Sequence, residues 1–147
     1  MSWTVDGLEF TKRKKVSVTT RPASALTGFP LYIPIVSDYQ IGAVCLPTGN
    51  DLRFTTDAGT LLYAEKDGTH GVTGGAYSGL WHVGQCVIAS SADTDFWCYY
   101  GNAGASAQTG SANVWNSDYR ARWSLQDPTN PLDSTSNHSH DSETADH

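Results

Sequence analysis

Apolar and polar residues alternate with a period of two in short runs along most of the chain, a pattern that predicts β-strands. In the segment 49–63, Leu52 and Phe54 point one way and the polar residues beside them point the other. The turn at 57–59, which contains Asp and Gly, then reverses the chain into a second strand that begins at Leu61. The segment is therefore predicted to be a β-hairpin.

Two further runs suggest where their strands lie within a sheet. Phe29–Val36 is the strongest strand signal of the first half. Pro30 and Pro34 share one side of this run, and neither has an N–H to donate, so the run is predicted at a sheet edge or at a bulge. Asp95–Tyr100 carries aromatic residues on both faces, which predicts a central strand that is covered on both sides.

The remaining segments are less regular. Gly68–Gly79 is rich in glycine and is predicted to be a loop that closes a hairpin, since it lacks the lysine of a phosphate-binding loop. Leu80–Ala89 is predicted to be one bent strand broken at Gly84–Gln85. Val114–Trp115 and Tyr119–Leu125 continue the strand pattern, and the second of these has the cleanest alternation in the chain.

Composition turns these strands into a fold prediction. With 147 residues the chain suits one domain, and its low charge content (16%) and many glycines favour short strands joined by tight turns over amphipathic helices. We expect an all-β fold, an antiparallel β-sandwich of jelly-roll type formed by residues 1–126. Residues 127–147 are polar and acidic, and are predicted to form an extended C-terminal arm.

The net charge of −6 argues against nucleic acid as a partner, because phosphate binding needs a basic face. The charges are unevenly distributed, with a basic segment near the start and an acidic tail. The two segments can pair between neighbouring subunits, or they can be two solvated ends of a monomer. The candidate subunit contacts are Lys12, Arg13, Lys14, Lys15, Asp141 and Glu143.

Targeting and metal-binding signals are absent from the sequence. The three cysteines (Cys45, Cys86 and Cys98) have no C-x-x-C spacing, and we interpret them as reduced thiols with no zinc site. We expect no signal peptide, no membrane span and no cofactor, because the first ten residues lack an apolar core and no apolar run is long enough to span a bilayer.

The sequence also gives little support for catalysis. A sandwich glycosidase needs two opposed carboxylates, and a serine hydrolase of the common type needs G-x-S-x-G; neither pattern occurs. His82 is the best lone candidate for acid–base chemistry, and we interpret it as a half-buried, hydrogen-bonded strand histidine. We therefore expect no enzymatic activity.

Five motifs occur in order over about residues 14–125: Leu26–Pro30; Asp51–Thr55 with Asp57, Gly59, Thr60 and Leu62; Trp81 and Val83; Tyr99–Asn102; and Val114, Trp115 and Tyr119. These motifs resemble the bacterial and phage family known as DUF2341. The resemblance implies a surface or virion component without an assigned activity, so it supplies no catalytic residues. Among the five motifs, Asp51 and Arg53 are interpreted as a same-face pair that fixes strand ends. The tail resembles the start of the concanavalin-like LamG domain that often follows the DUF2341 domain.

Two functions follow as hypotheses. The first is a structural protein of a phage virion, a capsid decoration or tail-associated subunit that contacts other virion proteins and copies of itself. The alternative is a carbohydrate-binding sandwich on a surface or receptor-binding protein, in which aromatic side chains stack on surface glycans. The candidate stacking residues are Trp3, Tyr32, Tyr39 and Tyr77.

Overall fold

The computed structural model describes residues 1–119 and Thr135, and this part of the chain is nearly all β, with antiparallel sheets packed together. The all-β sandwich is confirmed, while its jelly-roll connectivity stays a prediction. Tyr119 and Thr135 apart, the predicted strand 119–125 and the arm 127–147 lie outside the described residues, as do Asp141 and Glu143. The elements are β1 (Trp3–Val5), β2 (Leu8–Phe10), β3 (Lys12–Val18), β4 (Leu26–Asp38), α1 (Tyr39–Gly42), β5 (Arg53–Thr56), β6 (Leu61–Leu62), β7 (Ala64–Thr73), β8 (Ala76–Ile88), β9 (Thr94–Tyr100) and a 3₁₀ turn (Ser111–Val114).

The described strands form three sheets. A four-stranded sheet has the order β3-β9-β5-β6, a three-stranded sheet has the order β4-β8-β7, and β1 and β2 form a separate hairpin. The hairpin predicted in 49–63 is present, since Phe54 pairs with Leu62 across β5 and β6. The central position of β9 and the edge position of β4 are confirmed as well.

The core lies between the two larger sheets. Phe54 and Cys98 from the four-stranded sheet pack with Trp81 and Val83 from the three-stranded sheet, and each is at most 3% exposed. The rings of Phe54 and Trp81 lie 5.6 Å apart at an angle of 59°. Burying one such side chain stabilises the fold by about 1.5–3 kcal/mol, so this layer joins the sheets.

The glycine-rich segment is mostly strand, so the predicted loop is wrong except at its turn. β7 continues to Thr73, and only Gly74 and Gly75 reverse the chain before β8 begins at Ala76. Both glycines have positive φ (59° and 82°), which a tight hairpin turn requires and other residues rarely adopt. The register of β7 against β8 shifts between Asp67 and Gly71.

Two other segments differ from their predictions. β8 runs without a break through Gly84–Gln85, although Gln85 has φ 58°, so the predicted break is a local distortion. Val114 belongs to the 3₁₀ turn and not to a strand. This turn packs directly on β8, where a Cβ on Gly84 would overlap the backbone of Val114.

Asp51 and Arg53 fix strand ends as predicted, but not as a pair. Both side chains are buried. Asp51 accepts hydrogen bonds from the backbone N–H groups of Leu46 (2.8 Å), Gly101 (3.0 Å) and Asn102 (3.2 Å). Arg53 has its own partners: its guanidinium donates to the Asp6 carboxylate in the β1–β2 turn and to three backbone carbonyls. Each buried charge is therefore satisfied by a different set of groups.

Candidate functional site

Large hydrophobic side chains are exposed along β4 and the start of α1. Val36 is 75% exposed and Tyr39 is 67% exposed, and Tyr32 and Phe29 are 49% and 40% exposed. We call these four residues the β4 patch. Single exposed apolar residues are common on protein surfaces, but a group along one free sheet edge is typical of a contact surface.

The corner between β4 and α1 explains why this surface faces outward. Ser37 adopts a positive φ (49°), and the pairing with β8 shifts between Ile35 and Asp38. The Asp38 carboxylate then caps α1 by accepting hydrogen bonds from two backbone N–H groups, both at 3.0 Å. Ile41 on the inner side of α1 is 2% exposed and anchors the corner. The side chains of Val36 and Tyr39 therefore point outward, while Ile41 of α1 is held in the core.

Asp38 also joins the two sheets. Its carboxylate accepts a hydrogen bond from the Lys14 ammonium of β3 at 2.5 Å. Partial burial raises the pKa of the Asp38 carboxyl, but the hydrogen bonds from Lys14 and from the backbone N–H groups of Ile41 and Gln40 outweigh this effect and lower the pKa below its ordinary value. The ion pair crosses the opening between two edge strands.

That opening is a groove of about 400 Å³ between β3 and β4. Its floor is apolar and includes Ile33, Ile41 and Phe54, all of which belong to the core. Its rim carries the charged residues Lys14 and Lys15. The sandwich is thus open along this side, next to the β4 patch.

Tyr32 of the patch continues into a cluster on the outer face of the three-stranded sheet. Its ring lies 5.3 Å from that of His82, which in turn lies 5.3 Å from that of Trp115. A carboxylate borders each of the last two residues: His82 Nε2 lies 3.0 Å from Asp67 Oδ2, and Trp115 Nε1 donates to Glu65 Oε2 at 2.6 Å. The prediction of a half-buried, hydrogen-bonded His82 is confirmed.

A second cluster lies on the outer face of the four-stranded sheet. The Arg13 guanidinium carbon is 3.9 Å from the centroid of Trp97 and 4.8 Å from that of Trp3. Trp97 is fixed by its own N–H, which donates to Asp57 Oδ1 at 3.0 Å. Cation–π contacts of this kind orient a guanidinium as well as stabilising it. We call this group the Arg13 clamp.

The predicted stacking residues have three different environments. Tyr32 and Tyr39 are exposed, and the ring of the half-buried Trp3 lies against Arg13. The assignment of Tyr77 is wrong, because this side chain is fully buried and its hydroxyl lies 2.7 Å from His70 Nδ1. Burial raises the Tyr77 pKa, so the hydroxyl stays protonated and inaccessible to a sugar.

The predicted basic subunit contacts also have different environments. Lys12 and Arg13 are exposed. Lys14 pairs with Asp38, and Lys15 pairs with Asp95 at 2.8 Å. These two lysines therefore already have acidic partners within the chain.

Val36, the most exposed residue of the β4 patch, was not predicted from the sequence as a contact residue. Phe29 lies an even number of residues from the buried Ile33, so a regular strand would place both on one face, yet Phe29 is 40% exposed. The register shifts beside Phe29 explain this difference, because a bulge changes where a side chain points.

The described residues give little support for a nucleophilic cysteine or a metal site. Burial raises the pKa of the Cys45 and Cys86 thiols to about 11 and that of Cys98 further, so all three are poor nucleophiles at neutral pH. The described residues contain no group of three or more His, Cys, Asp or Glu side chains that could hold a metal ion. Within the same residues no helix is long and apolar enough to cross a membrane.

Comparisons with protein-family models, with curated proteins and with solved structures found no match to this chain.

Proposed function

We propose that this protein is a non-enzymatic structural subunit of a phage virion, a capsid decoration or tail-associated protein that contacts other virion proteins and copies of itself. The resemblance to the DUF2341 family, which implies a surface or virion component, is consistent with this location. The β4 patch supports subunit contact as its mode of action, and it is the observation that carries the proposal.

The patch has two properties of a protein–protein contact. Aromatic and aliphatic side chains are concentrated on one strand edge, and tyrosine and phenylalanine are enriched in the buried centres of interfaces. The patch is also held rigidly, because Asp38 caps α1 and binds Lys14 of the opposite sheet. A rigid surface loses little conformational entropy on binding.

The contact is expected to use side chains and not strand addition. Proline fits in a paired strand where its missing N–H faces away from the neighbouring strand. Pro34 is in register with Leu80 of β8, so its missing donor faces the free side of β4, and Pro30 lies at a register shift. A strand added to the free side would lose a backbone hydrogen bond at Pro34. We therefore expect Val36 and Tyr39 to pack into a pocket or against the same residues of a second copy.

Sedimentation velocity over a wide concentration range tests the proposal. We expect the wild-type protein to associate and Val36→Lys to weaken the association at least about tenfold, because a charge would be buried in an apolar contact. The matched control is Val87→Lys, which places the same charge on an exposed valine (57%) of β8.

Equal association of all three proteins would contradict the role of the patch. A wild-type protein that stays monomeric at every concentration, and that does not bind empty capsids, would contradict the structural function itself.

Carbohydrate binding is the second candidate, favoured by the cluster around Tyr32. An exposed tyrosine ring stands beside His82, and the carboxylate of Asp67 lies within hydrogen-bonding distance of that histidine. Rings provide stacking surfaces and carboxylates accept hydrogen bonds from sugar hydroxyls. A glycan array with wild type and Tyr32→Ala tests this: binding that Tyr32→Ala abolishes supports it, and no binding by the wild type contradicts it.

A further inference from the structure

Arg13 packs against two tryptophan rings, and its side chain is exposed. The indole rings of Trp3 and Trp97 lie 4.8 and 3.9 Å from its guanidinium carbon. Its N–H groups have no hydrogen-bond partner among the described residues, and the side chain is exposed. A guanidinium restrained in this way presents its donors in a fixed plane, which is the geometry that binds a carboxylate through two parallel hydrogen bonds.

Arg13 and its neighbour Lys12 differ from most other basic residues of the described part. Four cations of the described part each pair with an aspartate. Within the same residues Lys12 and Arg13 have no such partner. Lys66 also has no carboxylate partner among these residues, but its ammonium donates to the Thr48 carbonyl and to Asn50 Oδ1. The four paired cations are Lys14, Lys15, Arg21 and Arg53.

We infer that the Arg13 clamp binds a carboxylate from the acidic segment 141–146 of a second copy of this chain. The inference rests on the proposed function and assigns one of its subunit contacts. A peptide carboxylate is the ligand because a single rigid guanidinium selects a planar anion, and because the chain itself supplies a segment of opposite charge in Asp141, Glu143 and Asp146.

The spacing of the charges matches. Arg13 and Lys15 are two residues apart on β3 and share its outer face, where they pair with Tyr99 and Trp97 of β9. In an extended chain Asp141 and Glu143 are also two residues apart, so both pairs have a separation of roughly 7 Å. One carboxylate then binds Arg13, while the other lies beside Lys15 and competes with Asp95 for its ammonium.

The position of β3 leaves room for such a segment. β3 is an edge strand of the four-stranded sheet, and unlike β4 it contains no proline, so its free side can accept an extended chain. Opposite charges directly across two strands favour the pairing. Lysine on an edge strand also discourages pairing with other strands. An acidic segment can still pair there, because its charge is opposite to that of the lysines.

Charge reversal in the full-length chain tests the inference. Arg13→Glu, and separately the pair Asp141→Lys with Glu143→Lys, are each expected to weaken self-association about tenfold in sedimentation velocity. A mixture of the two variants is expected to restore association to near the wild-type value. Arg21→Glu is the matched control, since Arg21 is an exposed arginine whose partner is Asp93.

Carbodiimide cross-linking provides a second readout that does not depend on the Arg13 variant being stable. In a mixture of ¹⁴N- and ¹⁵N-labelled wild-type protein, we expect a cross-link between Lys12 or Lys15 of one label and Asp141 or Glu143 of the other. Cross-links within one label only would overturn the inference.

The failure of this contact can be told apart from the failure of the proposed function. If Val36→Lys abolishes association and Arg13→Glu leaves it unchanged, the inference is overturned and the proposed function stands. If the wild type never associates, both fail. If Arg13→Glu instead removes binding to carboxylated sugars on a glycan array, the clamp is a sugar site and the inference is overturned.

Discussion

Single buried charges give the fold its clearest residue-scale constraints. Asp51 is fully buried, and its two oxygens accept hydrogen bonds from the backbone N–H groups of Leu46, Gly101 and Asn102. A carboxylate is the only side chain of this size that accepts at both positions without donating at either. Asp51 thereby joins the start of β5 to the loop that follows β9.

Replacing this carboxylate by an amide tests its role. Asp51→Asn places an NH₂ group against N–H donors, and we expect it to lower the free energy of unfolding by about 2–4 kcal/mol. Urea unfolding followed by tryptophan fluorescence measures the change. Asp118→Asn is the control, because Asp118 is exposed and is expected to change stability by less than about 0.5 kcal/mol. Equal stability of Asp51→Asn and wild type would contradict the assignment.

His70 is expected to make stability depend on pH. Burial lowers its pKa below the ordinary value of 6.5, and the Lys66 charge lowers it further, against smaller raising effects from backbone groups and Asp67. The unfolded chain therefore binds the proton more readily than the folded protein does. The stability that neutral His70 provides is present above pH 6.5 and is lost as the pH falls through the lower folded pKa.

The measurement is the difference in unfolding free energy between wild type and His70→Gln at pH 7.5, 6.5, 5.5 and 4.5. We expect the advantage of the wild type to shrink as the pH falls below 6.5. A difference that does not change with pH would show that His70 does not titrate between the folded and unfolded states.

Sequence alone predicted some of these residues and not others. The half-buried His82 was predictable because it alternates with core residues on an apolar strand. Asp51 and Arg53 were recognised as structural, but their partners were not, since Gly101, Asn102 and Ser106 are about 50 residues away along the chain. Tyr77 was misassigned because nothing local to it shows which side of a glycine-rich hairpin is covered.

At the scale of elements, the position of β4 was the most predictable feature. Prolines in an apolar run predict a sheet edge or a bulge, and β4 has both an edge position and register shifts. The segment 68–79 was the least predictable, because glycines that fit a loop also fit a strand when neighbouring strands supply the hydrogen bonds. Its pairing with the rest of β8 makes this segment a strand.

The packing of the 3₁₀ turn on β8 yields an element-scale prediction. A Cβ on Gly84 would overlap the backbone of Val114, so Gly84→Ala must displace the turn, and we expect it to lower the free energy of unfolding by about 1–3 kcal/mol. Gly71→Ala is the matched control, since a Cβ there meets nothing within 4 Å and its φ is not positive. This control should be neutral or slightly stabilising. Equal effects of the two substitutions would contradict the close packing.

At the scale of the whole molecule, the two proposed interaction surfaces lie on opposite sides of the opening between β3 and β4. The β4 patch is apolar and lies along β4, an edge strand of the three-stranded sheet. The Arg13 clamp is cationic and lies on the outer face of the four-stranded sheet, whose edge strand is β3. An apolar contact provides affinity, and a charged contact provides orientation. A subunit with both is suited to assembly in a defined geometry.

Hydroxyl-radical footprinting across a concentration series tests the central claim, that the β4 patch is a subunit contact. We predict that oxidation of Tyr39 and Phe29 falls as the protein associates, while oxidation of Val87, exposed on β8, stays constant. Unchanged oxidation of Tyr39 and Phe29 in fully associated protein would contradict the claim.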